Sequence, residues 1–347
     1  MQEKISDCQI ILERLVEKRI GERVSSAAPK VSVIIPAYNI APYIKETLDS
    51  VFAQTFTDYE IVLVNDGSTD TAELKTALAP YFERIIYAEQ LNSGASQARN
   101  AAICLARGEL FAFLDGDDVW LPEFLASQTN FLEENKFEMV YCDALLFGER
   151  LFAGRTFMQD APSSGAVTTE SLIRAECNVI TSGTILKRDL IEKFDMFDTD
   201  LPLTQDFELW FRLTINGARI GYQREVLVKY RVRPNNLSGT SLNRAERSVL
   251  SLNIISEKYN LNDSEQKTWE RQMVLFKAYL ELERGKLCLV QGDFAQAKTH
   301  LANANRFFRK PKLSLINFLL RLSPRLTAHL FKKLRPSEFL FIAPGKN

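Results

Sequence analysis

Residues 31–39 read VSVIIPAYN. The largely β-branched run Val31–Pro36 has no polar face, the pattern of a strand covered on both sides. Pro42–Phe52 has helical spacing, and Tyr59–Val64 (YEIVLV) is a second apolar strand, ended by Asn65, Asp66, Gly67 and Ser68. A helix over 70–79, a short strand near Arg84–Ala88, a small-residue helix over Ser93–Ala106 and the strand Leu110–Leu114 (LFAFL) follow. This alternation predicts an α/β protein: a Rossmann-like, mostly parallel sheet with helices on both faces. In such sheets ligands sit at the carboxyl ends of the strands. Polar clusters fall at those ends here: Tyr38-Asn39, then Asp66, then Asp115-Gly116-Asp117-Asp118.

Outside this block, residues 1–22 read as a helix and 24–29 (VSSAAP) as a linker. Residues 147–167 contain Gly, Ser and Pro with few periodic apolar positions, as in a mobile loop that closes over a site. A helix near 169–176, a strand over 179–186, a helix over 205–216 and strands around 219–233 are expected. From about 243 the chain becomes helical, and Leu280–Ala304 resembles one tetratricopeptide hairpin around a Gly-Asp-Phe turn. The expected organisation is 1–30 helix and linker, 31–240 catalytic domain, and 241–347 helical region. Arg306–Arg335 holds nine basic residues and no acidic one, interleaved with leucines. Either it lies on an anionic membrane surface or its apolar face packs on the catalytic domain.

Composition narrows the class. Hydrophobic content of 46% and charged content of 25% suit a globular protein with a real core. A net charge of −1 points away from nucleic acid. The five cysteines lack metal-ligand or disulfide-framework spacing, so idle thiols in a reducing compartment are expected. The amino terminus lacks a secretory pattern and no apolar run reaches the roughly 18 residues of a membrane span, so a cytoplasmic protein is expected.

The acidic motif carries the chemistry. On an extended chain Asp115 and Asp117 face the same way and present two carboxylates to one point. Clustered carboxylates repel unless a cation or donors offset them. A hard ion with oxygen ligands, Mg²⁺ or Mn²⁺, suits that set and would stabilise a diphosphate leaving group. The bland alternative is an acidic turn capping the next helix. Asp70 is a candidate cap for the helix after Asp66. Arg99 is a candidate phosphate ligand or a partner for a core carboxylate.

The ordered set VSVIIPAYN, NDGSTD 26 residues later, NSGASQARNAA and GELFAFLDGDDVWLP resembles the family 2 glycosyltransferases over residues 31 to about 240. The resemblance implies a GT-A fold, a nucleotide-sugar donor, UDP first, and inversion at the anomeric carbon. By position, Pro36, Ala37, Tyr38 and Asn39 would line the base and ribose site. Asp66 would contact the base, Arg99 would lie near the donor, Asp115 would meet the ribose and metal region, and Asp117 would ligate the metal. In Thr204–Leu213 (TQDFELWFRL), Asp206 matches the second acid of the family's acidic pair, and Gln205 replaces the first. Asp206 is the expected general base, Glu208 the fallback, and Trp210 either core or a sugar platform. Arg233 stands where the family often has a metal-binding histidine. Arginine cannot ligate a cation, so a diphosphate contact is expected there. The acceptor is expected to be a glycan or a lipid-linked sugar.

Two rivals are weighed against this. A sugar nucleotidyltransferase needs a basic, Gly-rich phosphate loop after its first strand, and PAYNIAP has no basic residue before Lys45. A non-catalytic glycan- or partner-binding protein on the same fold draws support from Gln205 and Arg233.

Overall fold

Side chains alternate across a strand, so a run that is apolar at every position needs cover on both faces. Val31, Val33 and Ile35 pack with Ile44, Leu48 and Val51 on one side of the sheet. Ile34, Val62 and Val64 pack with Ala98, Ala101 and Ala102 on the other, where the alanines let the helix backbone approach closely. The computed structural model describes residues 2–148, 154–201, 203–233 and 241–334, with backbone alone over 2–7. The chain divides into two units, Met1–Arg231 and Val232–Asn347.

The strands are β1 (Leu15–Ile20), β2 (Val31–Ala37), β3 (Tyr59–Asp66), β4 (Ile86–Gln90), β5 (Leu110–Phe113), β6 (Val119–Trp120), β7 (Met139–Gly148), β8 (Thr184–Lys187) and β9 (Ile220–Val232). The first unit's helices are α1 (Gln2–Glu13), α2 (Ile44–Phe52), α3 (Thr71–Leu78), α4 (Ala95–Leu105), α5 (Phe124–Glu134), α6 (Phe157–Asp160), α7 (Thr169–Ile173), α8 (Arg188–Phe194) and α9 (Gln205–Ile215). The second unit holds α10 (Ser241–Lys258), α11 (Asp263–Gln291), α12 (Phe294–Phe308), α13 (Pro311–Leu322) and α14 (Pro324–Leu334). The sheet order is β1-β4-β3-β2-β5-β8-β7-β9-β6. The parallel heart is β4-β3-β2-β5, and β1 and β8 extend it antiparallel. The expected α/β architecture is therefore present, with the carboxyl ends of β2, β3, β4 and β5 on one edge.

Several expectations need correction. Residues 15–20 form β1, not the end of a helix: the free edge of β4 supplies ladder partners that outweigh local helical preference. Charged Glu17, Lys18 and Arg19 keep this edge strand from pairing further. Two of the five cysteines are not idle, because Cys8 on α1 and Cys104 on α4 form a disulfide. Cysteine spacing could not reveal this, since it depends on α1 lying against α4. The span 219–233 is one strand rather than several. Part of the expected closing loop, 149–153, lies outside the described residues. The remainder makes hydrogen bonds to β7: Leu146 N–H donates to the Arg155 carbonyl, Met158 N–H to Asp143, and Tyr141 hydroxyl to Ser163. β7, which supplies Tyr141 and Asp143, was not anticipated.

In the second unit, α11 ends where Gly292 adopts φ +87°, and Asp293 accepts the Gln296 N–H to start α12, giving the expected hairpin. Leu320 of α13, with Ile316, Ala328 and Phe331, joins Leu289, Ala297 and Leu301 of α11 and α12. Arg335 lies outside the described residues. Among the described residues no helix is long and apolar enough to cross a membrane.

Reducing the Cys8–Cys104 bond, which links positions 96 apart, should destabilise the protein by about 2–4 kcal/mol through gained unfolded-state entropy. Thermal melting with and without reductant checks this. Cys8→Ser should melt at the lower temperature in both conditions.

Candidate active site

Leu114 N–H donates to the Ile34 carbonyl, so the chain leaving β5 stays beside β2 as it reaches the acidic motif. There it turns: Asp118 N–H donates to the Asp115 carbonyl at 3.0 Å. The extended-chain expectation for Asp115 and Asp117 is thus wrong in detail, because the motif is a tight turn. Gly116 fits closely in it: an added Cβ would lie 2.5 Å from Ile40 Cδ1 and would displace that side chain. Thr47 on α2 donates to the carbonyls of Gly116 (3.0 Å) and Asp118 (2.8 Å), bracing the turn from below.

The three aspartates have different situations. Asp118 is 1% exposed and accepts from Ser182 Oγ–H at 2.6 Å and from the Arg231 N–H at 2.7 Å. Burial, then the neighbouring Asp117 and Asp115, push its pKa well above the usual carboxylate range, against those two hydrogen bonds. Asp115 accepts from Arg99 Nη2 at 2.6 Å and is one-third exposed. Asp117 is held at its backbone, whose carbonyl accepts from Arg231 Nε at 2.8 Å. Arg231 also stacks on Phe147 at 4.3 Å and Tyr43 at 4.8 Å, and pairs with Glu46.

The other predicted residues divide by role. Asp66 is 3% exposed and accepts from Gln90 Nε2, Ser93 N–H and Gly94 N–H, each at 2.8 Å. It thereby fixes the loop that starts α4, while Oδ2 keeps a lone pair. Pro36 and Ala37 end β2, and Tyr38 is 47% exposed at the same edge. Asn39 adopts φ +53° and its Oδ1 accepts from Thr69 N–H and hydroxyl. Asp70 sits at the α3 N-cap without capping it, and accepts from Ala41 N–H instead. Arg99 pairs with Asp115, the alternative to phosphate. Its Nε and Nη1 are buried without a hydrogen-bond partner among the described residues, and its guanidinium lies 5.4 Å from the Phe197 ring centre.

Asp206 lies in the first turn of α9. Its Oδ1 accepts from Phe207 N–H at 2.8 Å, and Thr181 Oγ1 is 3.5 Å from its Oδ2. The next residue, Ser182, is the one that holds Asp118, accepts the Asp115 N–H at 3.1 Å and accepts Trp120 Nε1–H at its carbonyl. Because β8 runs antiparallel to β5, the short turn Thr181–Gly183 before it falls at the carboxyl end of β5. A continuous set of contacts therefore runs Asp66, α4, Arg99, Asp115, Ser182, Thr181, Asp206. Glu208, the fallback, is 2% exposed and tied to Arg212. Trp210 is core, edge-on to Phe113 and Phe197. Arg233 falls in the second unit. Ser182 and Arg231 were given no role by sequence reasoning, since both act through contacts across distant segments.

The family model described as Glycosyl transferase family 2 matches residues 32–193. An uncharacterised glycosyltransferase of Rickettsia prowazekii is 34% identical over 222 residues, covering 63% of this chain and 69% of that one. This chain belongs to glycosyltransferase family 2. The family 2 chain is also 28% identical over 273 residues to the minor teichoic acid biosynthesis protein GgaB of Bacillus subtilis, covering 76% of this chain and 30% of the relative. A solved structure, the mannosyltransferase PcManGT from Pyrobaculum calidifontis in complex with GDP-Man and Mn²⁺, matches with TM-score 0.60 at 18% identity over 98% of this chain and 92% of that one. The fold is thus GT-A, as the resemblance implied.

Since burial already favours a neutral group at position 118, Asp118→Asn should keep most of the stability. Asp118→Ala should lose about 1–3 kcal/mol by removing the acceptor for the Ser182 hydroxyl hydrogen and the Arg231 N–H. Urea unfolding of the two variants makes the comparison.

Proposed function

We propose that this glycosyltransferase inverts the anomeric carbon as it moves a sugar from a nucleoside diphosphate to an acceptor hydroxyl, with Asp206 as general base. The observation that carries this reading is the run of contacts linking Asp206, through Thr181 and Ser182, to Asp115. A single displacement needs a base for the incoming hydroxyl and positive charge beside the leaving diphosphate, on opposite sides of one carbon. A carboxylate on a helix and an acidic turn joined by two consecutive residues suit that demand.

On the donor side, Pro36, Ala37, Tyr38 and Asn39 would line the base and ribose, with Asp66 Oδ2 accepting from the base. Arg99 sets positive charge beside Asp115. The donor set also suits Mg²⁺ or Mn²⁺: Asp115 and Asp117 offer hard oxygens from one braced turn. Among the described residues no group of three or more acidic, histidine or cysteine side chains gathers to hold a metal. Donor phosphates and water would complete the shell, as Mg²⁺ commonly requires. When bound, such an ion would offset the charge released on the diphosphate. PcManGT carries Mn²⁺ and GDP-Man, so GDP-sugars are tested beside the favoured UDP-sugars. The acceptor is a glycan or lipid-linked sugar of a surface polysaccharide or glycolipid, in keeping with the teichoic acid relative.

A thermal-shift screen against UDP-, GDP- and dTDP-sugars identifies the donor, because a bound ligand raises the melting temperature by mass action. With that donor, Asp206→Asn should cut transfer by about 10²–10⁴-fold and leave the ligand-induced shift intact. Equal losses of transfer and donor binding would remove Asp206 from the base role. Chelation should suppress nucleoside diphosphate release, and Mn²⁺ or Mg²⁺ should restore it in the parent protein but not in Asp117→Ala.

A further inference from the structure

α13 and α14 each divide their large apolar side chains between two faces. Leu313, Ile316 and Leu320 turn into the second unit, Leu320 and Ile316 against α11 and α12. Leu315, Phe318 and Leu322 recur at the spacing of one helical stripe and are 57%, 57% and 66% exposed. On α14, Ala328 and Phe331 pack inward. Leu326, Leu330 and Leu334, four residues apart, stand 55%, 38% and 72% exposed. Burying these rows would remove from water apolar surface that the fold itself leaves exposed.

α13 and α14 carry five basic side chains, Lys312, Arg321, Arg325, Lys332 and Lys333, with Arg309 and Lys310 just before them, all exposed, and no acidic residue. We infer that the outer faces of α13 and α14 form a docking surface for an anionic lipid bilayer. Leucine and phenylalanine would enter the acyl boundary while the lysines and arginines meet the headgroup phosphates. A nucleic acid would use the charge but leave the apolar rows bare. A second copy of this chain would cover the apolar rows but bring like charges together. Helices of 12 and 11 residues are too short to span a bilayer, which takes about 20, so they lie in its surface. This surface is independent of the transfer chemistry.

The test is sedimentation of the full chain with phosphatidylcholine vesicles, with and without phosphatidylglycerol. Binding should require phosphatidylglycerol and weaken as salt rises. The triple variant Leu315→Ser, Phe318→Ser, Leu322→Ser should bind at least about tenfold less, with unchanged donor hydrolysis and circular dichroism. Lys332→Glu with Lys333→Glu, which leaves the helix core untouched, should also reduce binding. Failure of the parent protein to bind at low salt, equal binding to neutral vesicles, or unchanged binding of both variants would each overturn the proposal. So would a dimer of the parent protein that the triple variant dissolves, since a second copy would then be the occupant.

Discussion

A carboxylate with almost no access to water, Asp118, joins three segments that are far apart in the chain. One oxygen accepts from Ser182, in the turn before β8, and the other from the backbone N–H of Arg231, near the end of β9. Burial and two neighbouring aspartates make a negative charge at this point costly. The two donors offset that cost, and a hydrogen bond left unmade in such a place is expensive. The geometry of the acidic turn follows. With Asp118 committed inward and Asp117 also buried, at 8% exposure, Asp115 is the most open of the three, one-third exposed.

The site's remaining charge balance comes from two arginines used differently. Arg99 neutralises Asp115 directly from a buried position on α4. Arg231 spends its hydrogen bonds on the Asp117 carbonyl and Glu46 and stacks between Tyr43 and Phe147, so it fixes backbone and surroundings. A planar guanidinium with several donors can serve such a junction, whereas a lysine's point charge cannot.

α4 links the two halves of the site. Asp66 accepts two N–H groups where the helix begins, Arg99 reaches the acidic turn, and Asn100 exchanges hydrogen bonds with both backbone groups of Phe197 at 2.8 and 3.0 Å. Phe197 in turn packs against Trp210 of α9, the helix that carries Asp206. At its far end α4 is bonded through Cys104 to α1. A displacement of this helix would therefore reach Asp206, the acidic turn and the loop that Asp66 holds together, because packed interiors transmit strain.

Much of this protein was readable from its residues. Unbroken apolar runs such as Val31–Pro36 need cover on two faces, and alternation with helices leaves little choice but a doubly covered parallel sheet. The polar clusters had to fall at the strand ends, so the placement of Asp66, Asp115 and Asp117 there followed from the sequence. Local pattern failed where partners come from elsewhere in the chain. β1 is a strand because β4 has a free edge, Cys8 is bonded because α1 lies on α4, and Asp115 and Asp117 sit on a turn because Ser182 and Arg231 take Asp118 inward. The roles of Ser182 and Arg231 exist only as distances between segments, and the choice between Arg99's two candidate partners was made the same way. Sequence periodicity records which faces of an element must leave water, and only folding decides which donor meets which acceptor once they have left it.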